Sequence, residues 1–267
     1  MRRTKVFDTL PSFLISSAVL EYLLILSFFL IALLYASAGF GGGSSYLALL
    51  SLSGLPTGAI RPIALICNLV VTGQGTVAFA RAGVTPWRRA LPLVVASMPA
   101  AFLGGRVQLP REQYLLLLGG LLLLAGGLMF LRPVYPADKT LSGGAAGAIS
   151  IGIGIVVGFV SGVVGIGGGI FLSPILFLSY WDDARAIAAT TSLFIVLNSL
   201  AGLAGQLSIG ITLEWSTTIP LVASVLVGGW LGTRLSIQWL SPASIRKIAA
   251  VLILLVGARL LYANWPL

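Results

Sequence analysis

The stretches Gly-Phe-Gly-Gly-Gly-Ser-Ser-Tyr (39–46) and Gly-Ile-Gly-Gly-Gly-Ile-Phe-Leu (165–172) decide how this chain folds. Each interrupts a long apolar run. Each leads into an apolar segment, about 44–54 and about 170–181, too short to cross a bilayer alone. Eleven or twelve residues make roughly 17 Å of helix, against a hydrocarbon core of about 30 Å. Irregular backbone cannot face lipid, so each break must line a cavity or pack inside protein. A broken helix repeated in both halves of a membrane chain points to a transport site at the repeat interface.

Around the breaks lie apolar segments that reach or approach spanning length. They fall at about 13–38, 60–80, 90–107 and 113–131, then about 143–164, 186–206, 216–235 and 243–262. Arg132, Pro133, Pro136, Asp138 and Lys139 form the polar gap between the two sets. Only 9% of residues are charged and 58% are hydrophobic, whereas soluble domains average about 25% charged. The expected fold is an all-α polytopic membrane protein of two homologous halves, 1–136 and 137–267. Each half has about four full spans plus a short glycine-led broken or re-entrant helix. The N-terminal Met1-Arg2-Arg3-Thr4-Lys5 resembles a signal peptide, but the following apolar run is too long, so it reads as an uncleaved first span.

The duplication shows in the order of unlike residues. Gly41-Gly42-Gly43 matches Gly167-Gly168-Gly169, Arg61 falls near Arg185, and Asn68-Leu69 matches Ser192-Leu193. Leu103-Gly104-Gly105-Arg106 matches Leu231-Gly232-Thr233-Arg234, and Gly126 matches Gly257. Two topologies follow. Short segments that enter and return give eight crossings and parallel repeats. Short segments that complete a crossing give ten crossings and inverted repeats. Counting basic residues favours eight, with Arg2, Arg3 and Lys5 on the same side as Arg81, Arg88 and Arg89.

Several chemistries are excluded. The chain has no histidine, which removes Ser-His-Asp catalysis and histidine metal sites or proton relays. One cysteine, Cys67, allows no internal disulfide. No intramembrane aspartate pair exists for a protease, so an enzyme is not expected, and neither is a cofactor or metal. The net charge of +9 is spread singly and in pairs, which suits lipid head groups and topology rather than nucleic acid.

Gly41, Gly42, Gly43 and Ser44, and again Gly167, Gly168 and Gly169, are the first candidate site residues. Glycine admits positive φ and close backbone approach. A helix beginning after each triplet points free N–H groups and its positive end at the break. Two such ends facing one cavity would hold a small anion without buried charge. The competing reading is close helix packing through small residues.

The segment Gly-Val-Val-Gly-Ile-Gly-Gly-Gly-Ile-Phe-Leu-Ser-Pro-Ile-Leu (162–176), with Ala188-Ala189-Thr190-Thr191-Ser192-Leu193 after it, resembles the signature of the TauE/SafE sulfite exporters. That family is also a duplicated bundle, so the resemblance covers almost the whole chain. In the first half Ala48 stands where Pro174 does, and Cys67-Asn68 stands at the Thr-Ser position. The resemblance implies export of a small sulfur-containing anion, sulfite or an organosulfonate, across a bacterial inner membrane.

Further candidates surround the triplets. Thr190, Thr191 and Ser192 can donate to sulfonate or sulfite oxygens, or bond between helices. Asn68 can donate through its amide. Gln74 and Asn198 recur six residues beyond Asn68 and Ser192, deep in apolar sequence where an amide needs a partner. Arg61 and Arg185 open the spans after the short helices, where a guanidinium can attract an oxyanion or snorkel. Asp182 and Asp183 are placed to pair with Arg185. Arg106 and Arg234 read as structural anchors. Trp181, Trp215, Trp239, Trp265 and Tyr262 read as interfacial, and Trp230 as packed among glycines. Glu21 reads as a head-group residue, so a coupling proton would travel on Glu21, a surface acid or the substrate itself. A homodimer is compatible with the sequence. An anion channel of the same architecture is the main competing function.

Overall fold

The computed structural model describes residues 17–37, 40–53, 55–130, 144–179, 181–235 and 242–264. Arg2, Arg3, Lys5, Gly39, the polar gap, Trp239 and Trp265 lie outside the described residues. All regular structure among the described residues is helical. In chain order the helices are α1 (Ser17–Ser37), α2 (Gly43–Leu52), α3 (Thr57–Arg81), α4 (Trp87–Arg106) and α5 (Arg111–Phe130). They are followed by α6 (Gly144–Val164), α7 (Gly169–Leu178), α8 (Ala184–Leu207), α9 (Trp215–Leu235) and α10 (Pro242–Asn264). The short helices α2 and α7 have 10 residues each, as the interrupted apolar runs predict. Five of the long helices, α3, α5, α6, α8 and α9, are long and apolar enough to cross a membrane.

Glycine sets which helices touch. On α6, Gly154, Gly158 and Gly162 lie directly against the carbonyls of Leu93, Ser97 and Ala101 on α4, where a Cβ would collide. On α9, Gly228 and Gly232 do the same against Phe29 and Leu33 of α1. Both pairs advance in register, so α4 runs parallel to α6 and α1 parallel to α9. Backbones that approach this closely gain dispersion contacts, which matter most where lipid supplies no hydrophobic drive between helices. Ser224 adds a hydrogen bond from its Oγ to the Ile25 carbonyl at 2.7 Å.

At the centre α3 crosses α8 antiparallel, with Gly75 against Ser192 and Gly202 against Leu65. Helices α5 and α10 are also antiparallel, with Gly119 against Gly257 and Gly126 against Ala250 and Leu254. Short connections make α9 antiparallel to α8, so α1 and α3 point the same way. The starts of α1 and α3 therefore share one end of the bundle. Arg81, Arg88 and Arg89 stand at the other, not on the side expected from counting basic residues. The reason is α2, which leads the chain back before α3 begins.

Four surface expectations change. Trp230 is 48% exposed, with the Arg234 guanidinium 4.0 Å from its ring centre, instead of packing among glycines. Trp181 is buried, and its Nε1 donates to Ser150 Oγ at 3.1 Å. Asp182 pairs with Arg89 at 2.8 Å, rather than with Arg185. Asp183 caps α8 instead, accepting from the backbone N–H groups of Arg185 and Ala186. Glu21, Trp215 and Tyr262 are exposed.

Candidate functional site

The two breaks share their caps and closing hydrogen bonds, and differ at the first glycine of the triplet, where Gly167 sits at φ 80° and Gly41 is not in the positive-φ region. At the first, the Phe40 N–H closes onto the Tyr35 carbonyl, and Ser45 and Tyr46 donate to the Gly42 carbonyl. At the second, Ile166 closes onto Ser161, and Phe171 and Leu172 donate to Gly168. Gly42 and Gly168 are the N-caps of α2 and α7, at φ 80° and φ 83°. An L-residue there pays roughly 1–2 kcal/mol, which accounts for glycine at both positions. Neither cap supplies a side-chain hydrogen bond. The first N–H groups of each helix lack intrahelical partners by geometry, and together with the dipole they make a positive end.

The breaks meet. Gly41 and Gly43 lie against Asn68, eleven residues into α3 and so roughly 16 Å along it. Gly169 lies against Ile195, eleven residues into α8. A Cβ on Gly43 would come 2.6 Å from the Ile166 carbonyl of the other break. Asn68 joins them, donating from Nδ2 to that carbonyl at 2.6 Å. A small cavity of about 20 Å³, roughly the room one water needs, opens beside the junction. Its walls are Tyr35, Phe40, Gly41, Gly42, Gly43, Ser44 and Asn68, with Ile166, Gly169, Ile170 and Ile195 opposite. No charged side chain is among its described lining residues.

The other candidates divide. Gly167 is packed on Asn68 and Ser199, and Gly168 on Phe194 and Ser161; both sit at the junction but off the cavity wall. Thr190 and Thr191 are fully buried, with unpartnered hydroxyls, and the Thr191 methyl abuts Gly169. Ser192 Oγ is committed to α3 through the Thr72 carbonyl and the Thr76 hydroxyl, both at 3.1 Å. Asn198 donates to Ser97 Oγ at 2.7 Å and to the Phe194 carbonyl. Gln74 reaches the Leu226 carbonyl at 3.3 Å. These three tie helices together away from the cavity.

The arginines separate most. Arg61 is 4% exposed and donates to the carbonyls of Val107, Gly105 and Gly162 at 2.9 to 3.2 Å. It gathers the C-terminal ends of α4 and α6, where the helix dipole favours a cation. Tyr114 seals the same end through Val164 at 3.0 Å. Arg185 is exposed. Tyr35, whose hydroxyl pairs with Ser45 Oγ at 2.8 Å, was not singled out by the sequence. Its signal is weak, because a tyrosine near the end of an apolar run reads equally well as interfacial.

Sequence comparison agrees with this architecture. The family model described as sulfite exporter TauE/SafE matches residues 24–260. A probable membrane transporter protein y4hK of Sinorhizobium fredii is 37% identical over 90% of this chain and 97% of its own. The probable membrane transporter protein YunE of Bacillus subtilis is 30% identical over 43% of this chain and 41% of its own. No solved structure is significantly similar. The chain, a multi-pass membrane protein of the transporter type, belongs to the TauE/SafE family.

Proposed function

We propose that the chain is a secondary transporter that exports a small sulfur-containing anion, sulfite or an organosulfonate, across the bacterial inner membrane. One observation carries the reading: the uncapped, glycine-led N-termini of α2 and α7 converge on a small cavity whose described lining carries no charge. Peptide N–H groups and two positive dipole ends favour an anion there. Low dielectric strengthens both.

Residues 1–136 and 137–267 act as inverted repeats on this reading. In support, Gly104 meets the Phe159 carbonyl just as Gly232 meets that of Leu33, and the like-placed pairs α3 with α8 and α5 with α10 run antiparallel. Inverted repeats give two related ways to close around one midplane site, which is what alternating access needs.

An anion channel would need a continuous row of weak sites; two breaks meeting at one depth favour a single occluded site. Flux into proteoliposomes separates them. A transporter gives saturating sulfite uptake, driven by a counter-gradient and without unitary currents. Non-saturating flux with stepwise conductance would assign a channel. No flux of any anion would end both readings.

A further inference from the structure

The amide of Asn68 carries more information than its position. Asn68 is 1% exposed and lines the cavity. Only its NH₂ group can face the Ile166 carbonyl, so that contact fixes the orientation of the amide. Oδ1 is then left on the Gly41 side, where a Cβ on that glycine would strike it. Oδ1 has no partner. The hydroxyls beside it are engaged, Thr72 donating to the Asn68 carbonyl at 2.7 Å and Tyr35 pairing with Ser45.

A buried acceptor without a donor costs about 1–3 kcal/mol. It also repels the oxygens of an anion held at the α2 N-terminus unless the solute itself brings a hydrogen. We infer that the preferred solute is an anion bearing its own hydrogen-bond donor, an O–H or N–H, which is given to Asn68 Oδ1 while the oxyanion faces the α2 N–H groups. The inference rests on the anion-site reading. It adds a selectivity that peptide dipoles alone do not have, because N–H groups accept donor-bearing and donor-free anions alike.

The test compares two monoanions that differ by one hydroxyl, 2-hydroxyethanesulfonate and ethanesulfonate. Each is titrated against the purified full-length protein in sodium-free buffer, with binding read as thermal stabilisation. The expected result is about tenfold tighter binding of the hydroxylated anion, with the preference lost in an Asn68→Leu variant that still melts cooperatively. Equal affinities in the unmodified protein overturn the inference and leave the anion site standing, a result that does not depend on how the variant folds. Stabilisation by sodium chloride but not by choline chloride also overturns it, because Oδ1 would then be a cation ligand. If no anion stabilises the protein, the anion-site reading itself fails.

Discussion

The two breaks have the same caps and closing hydrogen bonds, but differ at Gly41 and Gly167 and in their walls. Phe40 onto Tyr35 and Ile166 onto Ser161 are the same closure, and both short helices start on a glycine near φ 80°. Where Asn68 faces Gly41 and Gly43, however, Ile195 faces Gly167 and Gly169. Likewise Ser44 lines the cavity from α2 and Ile170 from α7. Thus the repeated part supplies peptide dipoles from both sides, and the side chains that can choose among solutes come mostly from the first half. Geometry is conserved between the breaks where only backbone can do the task, and relaxed where a side chain can.

Substitutions can break this comparison. Gly43→Leu drives a side chain into the backbone of the opposite break and should abolish flux, at least a hundredfold or about 2.7 kcal/mol, with membrane insertion intact. Gly168→Leu should also abolish flux, because beyond the strain at φ 83° its side chain must displace buried Phe194 and Ser161. Gly168→Ala meets mainly the ring edge of Phe194 and should lose roughly 1–2 kcal/mol of stability while retaining measurable flux. If Gly43→Ala is as mild as Gly168→Ala, the junction is not where the account places it.

Arg61→Leu removes the clamp that holds α6 as it enters the second break. Three charged hydrogen bonds disappear and three carbonyls lose their donor, so thermal unfolding should show a loss of about 3 kcal/mol or more. Asn68→Leu should weaken binding of the hydroxylated anion about tenfold, whereas Ile195→Leu, at the matching place in the second half, should leave affinity unchanged; a ligand titration separates the two. The smallest effect belongs to Arg185→Ala. An exposed residue beside a backbone cap should change stability by no more than about 0.5 kcal/mol and flux not at all.

Much of this was legible in the sequence, because glycine and length are local signals. A triplet before ten apolar residues can hardly be other than a broken helix, and the segment limits fall within a few residues of the helices observed. Pairing across the halves was harder. The sequence match aligns Asn68 with Ser192, yet the residue that faces the second triplet is Ile195, almost one turn later. The connections before α3 and α8, four residues at 53–56 against five at 179–183, differ by one residue and carry only part of that shift. Arg61 was equally opaque. A duplicated arginine at a span start suggests a cavity mouth, but its carbonyl partners lie 44 to 101 residues away. Only the packing of α4 and α6 brings those partners together.

The central claim is that both helix N-termini hold one anion between them. The most direct measurement is a crystal structure of the protein soaked in selenite, read from selenium anomalous scattering. One peak beside Asn68, between Gly43 and Gly169, is the predicted result. A peak only at exposed arginines such as Arg185, with the junction empty at saturating selenite, would contradict it.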